Sequence, residues 1–377
     1  MPAPALNATP LHALHESLGA TFTDFAGWQM PVRYTSDLAE HHAVRTGAGI
    51  FDLSHMGEIR LSGSGAGEAL DHALAGKLST LAVGRAKYSL MLAPEGGVID
   101  DVIVYRLGEE ELLVVANAGN AAVVAGELAD RAAGFDTQVR DDSAAIALIA
   151  VQGPASADIV TRALTDAASP ASGIDAEDVA ALGYYRVLQG TFAGHELLLA
   201  RTGYTGEDGF ELYVPAARAV ELWELLAAHG GEDLVPCGLA SRDTLRLEAG
   251  MPLYGHELSR DTLPAQAGLG RVVALRTKGD FIGRAAVESA DLSGSRVLAG
   301  LVAEGRRAAR AGSAVRDLTG RIIGEVTSGV LSPTLGHPIA LAYLDPASTE
   351  VGTELVIDVR GKDLPARVVS LPFYSRA

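Results

Sequence analysis

Between Gly96 and Val104 the chain reads Gly-Gly-Val-Ile-Asp-Asp-Val-Ile-Val, an apolar strand-forming run interrupted by two adjacent carboxylates, Asp100 and Asp101. Successive side chains of a strand point to opposite faces, so one of the two aspartates must share a face with the apolar set or point into a cavity. A carboxylate in that position needs a partner, because burying it unpaired costs several kcal/mol in effective terms. Either the fold supplies a cap, as an aspartate closing a turn at a strand end does, or the site exists to meet something that binds. These nine residues leave both readings open.

A chain of 377 residues is too long for one simple core and is expected to form two or three domains. With 48% apolar and 20% charged residues it reads as compact and folded. A formal charge of −17 argues against nucleic acid or an anionic membrane as partner, since both reward a basic face. No apolar run reaches the roughly 18 residues of a membrane span, and Met1–Asn7 lacks the basic and apolar regions of a signal peptide. The expected location is cytoplasmic. One cysteine, Cys237, rules out an internal disulfide and a cysteine-based zinc site, and reads as a buried thiol before a helix. Glu40-His41-His42 lacks the returning ligand of a metal motif and reads as a solvated helix face, so no metal is expected.

Thr9-Pro10 followed by Leu11, Leu14, Leu18 and Gly19 predicts a short capped helix with His12 and His15 on its surface. A second helix is predicted over 37–46. From 56 to 116 the pattern is an α+β block, with strands at Gly57–Leu61, Tyr88–Leu92, Val98–Tyr105 and Glu111–Ala116 and a helix near 66–75. A helix is predicted from Asn117 to about Ala133 and an apolar strand at Ala145–Val151, while 170–178 reads as linker. Strands at His195–Arg201 and Phe210–Val214 flank a glycine-rich turn, Thr202-Gly-Tyr-Thr-Gly-Glu-Asp-Gly209. Two helices follow, one carrying Val220, Leu222, Trp223 and Leu226, the other Leu239–Ala249. Beyond about 276 regularly spaced strands predict a small C-terminal barrel or sandwich: Val297–Val302, Arg321–Val326, Ile339–Leu344, Glu354–Val359 and Ala366–Leu371.

Familiar nucleotide and hydrolase signatures are missing. Ser62-Gly-Ser-Gly-Ala-Gly-Glu68 puts a glutamate where a dinucleotide fingerprint needs its third glycine, Gly76-Lys-Leu-Ser79 lacks the lysine–hydroxyl adjacency of a phosphate loop, and no Gly-x-Ser-x-Gly elbow occurs. What remains is a set of carboxylates, arginines and aromatics. Glu211 shares a strand face with Tyr213 and can accept two parallel hydrogen bonds from an amide-and-amine edge such as that of a pterin, or can lie on the solvated side of an edge strand. Arg242 and Arg246, one helical turn apart, suit a carboxylate-bearing tail or an ion pair with Asp243 or Glu248. Asn117 is either a helix cap or a donor to a ligand, and Phe373-Tyr374 either a stacking surface or a tail anchor.

Taken together, Phe25-Ala-Gly-Trp-Gln-Met-Pro-Val32, Phe51-Asp-Leu-Ser-His-Met56, Gly97-Val-Ile-Asp-Asp101, Arg201-Thr-Gly-Tyr-Thr-Gly-Glu-Asp-Gly-Phe-Glu211 and Arg242-Asp-Thr-Leu-Arg-Leu-Glu-Ala-Gly250 resemble the aminomethyltransferase, or T-protein, family of the glycine cleavage system. The resemblance continues through Lys278-Gly-Asp-Phe-Ile-Gly283 and Gly324-Glu-Val-Thr-Ser-Gly329, and so spans nearly the whole chain. It implies an α+β fold of three domains in a cloverleaf around a central opening that holds tetrahydrofolate. Residues 1–275 would form the folate-binding region as two interleaved α+β subdomains, about 52–140 being one of them, and 276–377 the C-terminal barrel.

The implied reaction splits the aminomethyl group carried on the lipoyl arm of a partner H-protein, releasing ammonia and giving 5,10-methylenetetrahydrofolate. By resemblance Asp101 is the catalytic carboxylate, Glu211 holds the pterin edge, Arg242 and Tyr374 contact the folate, and Met56, Tyr88, Val115 and Asn117 line the pocket. Related folate enzymes that oxidise dimethylglycine or sarcosine carry a fused flavin domain, for which this chain has no length. A related folate-binding adaptor carries a lysine-glycine-cysteine segment, which here reads Lys278-Gly279-Asp280. A folate-dependent demethylase of another small amine or sulfonium compound is the enzymatic alternative.

Overall fold

The computed structural model describes residues 6–376, so most of the N-terminal segment read above, Met1–Asn7, lies outside it. The fold is α+β, and the chain divides into two compact units. The first runs to Ala73 and adds Leu78–Tyr88 and Val102–Arg242, and the second comprises Leu74–Lys77, Ser89–Asp101 and the chain from Asp243 onward.

The first unit is organised on a seven-stranded sheet in the order Ala171–Ser172, Val187–Phe192, His195–Ala200, Gly209–Pro215, Ile146–Gln152, Ala48–Asp52, Leu234–Pro236. All its pairings are antiparallel except the last, which is parallel. Ile146–Gln152 is apolar on both faces because it lies inside the sheet with a layer on each side. One of those layers is Ser156–Thr165 and Ala219–Gly230, whose Ile159, Val160, Leu222, Trp223 and Leu226 pack on Ile149, Leu199, Phe210 and Leu212. A five-stranded sheet is ordered Ala86–Leu92, Val98–Gly108, Glu111–Ala116, Gly57–Ser62, Gln138–Asp141. Its register sets Tyr105 opposite Leu113, Ile103 opposite Val115 and Val115 opposite Glu58, which places these side chains on one face.

Four expectations change here. Helix His12–Ser17 starts after Leu11, and Thr9 does not cap it: its hydroxyl donates to Asp52 at 2.6 Å. His15 is fully buried rather than surface-lying, with Nε2 2.9 Å from Asp52 Oδ2 and Nδ1 2.9 Å from the Tyr34 hydroxyl. Helix Asp37–Thr46, capped by the Ser36 hydroxyl, turns Glu40 and His41 inward, so that face is not solvated. The Glu40 carboxylate accepts the backbone N–H groups of Tyr34, Thr35 and Gly238, a use of buried charge that leaves no bare carboxylate. Finally, 170–178 is not bare linker: Ala171–Ser172 pairs at the sheet edge, and Asp175 and Asp178 cap helix Ala176–Ala181 reciprocally.

In the second unit a closed barrel runs Val297–Ala303, Pro338–Leu344, Ile322–Leu331, Ala314–Arg316, Glu354–Val359, Lys362–Val369 and back to Val297–Ala303. Period-two alternation fills it with Leu301, Val315, Ile323, Leu344, Leu355, Ile357 and Val368. Gly97 lies against Arg260, where a Cβ would come 1.6 Å from the Arg260 carbonyl oxygen, so only glycine fits. The next residue, Val98, donates its N–H to Ser259 O at 3.0 Å. Arg246 is buried and ion-paired to Asp243 and Glu257, with the Ser328 hydroxyl at 2.8 Å, so it does not join Arg242 in reading a tail. Among the described residues no helix is long and apolar enough to cross a membrane.

Candidate functional site

Glu211 stands on a central strand, not an edge: it pairs with Ala200 on one side and Ala150 on the other. Two alanines as same-face neighbours leave room above the carboxylate, which is buried. The Thr202 and Tyr105 hydroxyls both donate to Glu211 Oε2, the latter at 3.2 Å. No described residue donates to Oε1. The Tyr105 hydroxyl lies 3.1 Å from Thr202 Oγ1 and accepts the Tyr213 O–H at 3.2 Å, and the two phenol rings meet edge to face at 5.8 Å. Burial and the charge of Glu211 push the Tyr105 phenol well above its ordinary range, and Tyr213 likewise. Both phenols therefore stay neutral, Tyr105 donating to Glu211 and Tyr213 donating to Tyr105.

Arg242 lies in the first turn of helix Leu239–Glu248, its N–H 3.2 Å from Gly238 O. Its guanidinium sits over the Tyr204 ring, 4.9 Å from the centroid, and among the described residues has no ion-pair or side-chain hydrogen-bond partner. Burial lowers its pKa, while Glu211 and Tyr204 act in the opposite sense. A guanidinium starts from so high a value that it remains charged, leaving a cation with its planar donors uncommitted. Beside it is a recess of about 10 Å³, room for about one water, lined by Pro31, Phe51, Asp52, Leu53, Cys237, Gly238, Leu239 and Arg242. The buried imidazole of His55 has its pKa lowered to about 4, by burial first and by Arg242, with Asp52 opposing, so it adds no charge at neutral pH. Cys237 is the buried thiol before a helix that the sequence predicts, and burial pushes its pKa up.

The other expected residues fall as follows. Val115 is buried in the strand Glu111–Ala116, with half-buried Asn117 just beyond it. Asn117 makes no side-chain cap to the following helical turn. Met56 is half-buried in a turn whose N–H bonds to Leu53 O at 3.0 Å, and Tyr88 is half-buried in Ala86–Leu92. Asp101 and Tyr374 fall in the second unit. Asp100 is the aspartate that is fully buried; Asp101 is half-buried, and alternation along Val98–Gly108 gives it the strand face of Ile103 and Tyr105. Both aspartates have polar partners. Tyr374 donates its backbone N–H to Glu248 O at 2.8 Å, which ties the tail down.

Sequence reading missed Thr202, Tyr105 and Tyr204. Tyr105 lies four residues beyond Asp101 on one strand, an alternation signal in plain view; Thr202 and Tyr204 lie in a segment read for its glycines and as part of a family motif, with no role given to either residue.

The glycine cleavage T-protein N-terminal domain matches residues 11–277, and the T-protein C-terminal barrel domain matches 296–375. An aminomethyltransferase from Cutibacterium acnes is 61% identical over 99% of both chains. Another from Streptomyces coelicolor is 57% identical over 98% of both. The crystal structure of glycine cleavage system aminomethyltransferase T from Bartonella henselae superposes with a TM-score of 0.89 at 38% identity, covering 98% of each chain. The chain therefore belongs to the glycine cleavage T-protein family. Its activity is that of an aminomethyltransferase, a folate-dependent one-carbon transferase.

Proposed function

We propose that the chain takes the methylene of an aminomethyl group carried on the lipoyl arm of an H-protein and delivers it to tetrahydrofolate, releasing ammonia, in the cytoplasm. In the net reaction one C–N and one C–S bond of the carrier break and two C–N bonds form at folate N5 and N10. The two protons displaced from those nitrogens end on the ammonia and on the carrier thiol. Tetrahydrofolate supplies the two nitrogens that receive the carbon; the protein binds it, orients it and handles the protons.

The observation that carries this reading is the carboxylate of Glu211, whose Oε2 is saturated by hydroxyl donors while Oε1 takes none among the described residues. A pterin presents adjacent amine and ring N–H donors, and a carboxyl group with an open acceptor oxygen, held in place on a central strand, suits that edge. Arg242, a cation with uncommitted donors, suits an anionic group of the same ligand. Asp101 is assigned the proton at the reacting nitrogen. Met56, Tyr88, Val115 and Asn117 are assigned to the pocket wall and Tyr374 to a folate contact, with no metal taking part.

The test is ammonia release from an aminomethylated lipoyl carrier, with and without tetrahydrofolate. Folate-dependent release supports the reading; no release from this carrier, with turnover of a free methylated amine or sulfonium instead, transfers the site to a demethylase. Asp101→Ala should cut kcat by about 10²-fold or more while folate affinity changes little, as expected when a general acid–base group is lost. Near-normal turnover in that variant removes Asp101 from the chemistry.

A further inference from the structure

The segment Thr202–Gly209 delivers both groups on which the candidate site turns: the Thr202 hydroxyl that donates to Glu211, and the Tyr204 ring beneath Arg242. Its shape is set by one buried amide. Gln152, at the end of strand Ile146–Gln152 and with no exposed surface, donates Nε2–H to Thr202 O at 3.0 Å and accepts the Thr205 hydroxyl on Oε1 at 3.1 Å. The segment closes around it so tightly that a Cβ at Gly203 would come 2.0 Å from Gln152 Oε1, and a Cβ at Gly209 2.3 Å from Nε2. The spacing of glycines in this motif thus follows from the volume of the Gln152 amide rather than from turn propensity alone. The outer side is pinned separately: Arg45 donates to Thr205 O at 2.8 Å and to Glu207 Oε1 at 2.9 Å, and Arg201 holds Asp208 through two nitrogens.

We infer that Gln152 is a positioning residue for folate binding, acting through Thr202 on Glu211 and through Tyr204 on Arg242. The inference rests on the folate reading of Glu211 proposed above. A carboxamide is the side chain that can serve both ends, because it donates at one end and accepts at the other without bringing charge into the core. An ionised carboxylate would repel the Thr202 carbonyl, and an apolar side chain of the same length would remove the donor to that carbonyl and the acceptor for the Thr205 O–H, leaving the Thr205 oxygen only the Glu207 N–H it accepts.

A double-mutant cycle on tetrahydrofolate binding to the full-length protein tests this, using calorimetry under reducing conditions with Gln152→Met, Glu211→Ala and the double variant, each with its melting temperature measured. Gln152→Met should weaken folate binding by about 10-fold or more, and in the Glu211→Ala background the same change should weaken it by a clearly smaller factor, about 3-fold, since the route through Thr202 is gone and only that through Tyr204 to Arg242 remains. Equal weakening in both backgrounds, or wild-type affinity in folded Gln152→Met, overturns the inference. If Glu211→Ala itself leaves folate binding unchanged, the reading of Glu211 fails instead. Thr205→Val, which removes a single hydroxyl from the Gln152 clamp, repeats the cycle should Gln152→Met not fold, with the same coupling expected and additivity again overturning it.

Discussion

Glu58 is fully buried on the strand Gly57–Ser62, and neither carboxyl oxygen has a hydrogen-bond partner among the described residues. Burial, reinforced by the nearby charges of Asp141 and Asp142, pushes its pKa well above the usual carboxylate range. The folded protein therefore carries Glu58 as the neutral acid, holding a proton that the unfolded chain releases once the pH passes about 4.5. Because the native state binds the extra proton, stability falls as pH rises between that value and the raised one, by up to about 1.4 kcal/mol per pH unit. Glu58→Gln keeps the shape and removes the titration. Its urea midpoint should match the wild type near pH 4.5 and exceed it increasingly as the pH rises from there. Parallel curves for the two proteins across that range would show that Glu58 does not titrate this way.

Among the elements, helix Leu239–Glu248 shows how one sequence pattern can serve two ends. Arg242 and Arg246 read alike in sequence, yet the guanidinium of Arg246 is committed to Asp243, Glu257 and Ser328, while that of Arg242 has only the face of Tyr204. Glu257 is fully buried and also accepts the Leu253 N–H at 2.9 Å and the Thr327 hydroxyl. Arg246→Met should therefore cost about 3–5 kcal/mol, because it strands a buried carboxylate, and adding Glu257→Leu should recover part of the loss; urea unfolding of the three proteins measures both. A double variant no more stable than Arg246→Met would mean that the stranded charge is not what costs stability. The same contrast explains what the sequence could reveal. Strands with one wet and one dry face, such as Glu354–Val359, show their alternation and are legible to the residue, as is Glu111–Ala116 between its turns. Ala48–Asp52 is buried at every position and so shows no alternation, and the hairpin Thr21–Phe25/Trp28–Arg33 turns on Ala26 and Gly27, both at positive φ, without the usual asparagine signal. Glu211 could be placed beside Tyr213 from strand period alone. Its donor Tyr105 is 106 residues away in sequence and only the fold supplies it.

For the whole molecule, the two compact units do not coincide with two halves of the chain. Leu74–Lys77 and Ser89–Asp101 belong with the residues from Asp243 onward rather than with their sequence neighbours. Within that second unit Val98 bonds to Ser259 O, the Ala274 N–H to Ala75 O, and Lys278 Nζ to Gly76 O at 3.1 Å. A fragment that starts at Asp243 loses every one of these partners, and its segment 253–290, which has little regular structure of its own, would have nothing to hold it. The barrel differs: its six strands close on themselves over a core drawn from Ala299 to Val368, and Leu247 packs with Ile339 and Leu341 outside that core. Closure leaves no strand edge to be completed by another part of the chain. Limited proteolysis of a 243–377 fragment should therefore digest it to a resistant core beginning near residue 296, whereas full-length protein resists cleavage within 253–290. Equal resistance of that segment in fragment and full-length protein would show that the strand Val98–Gly108 and the Leu74–Lys77 segment are not what order it.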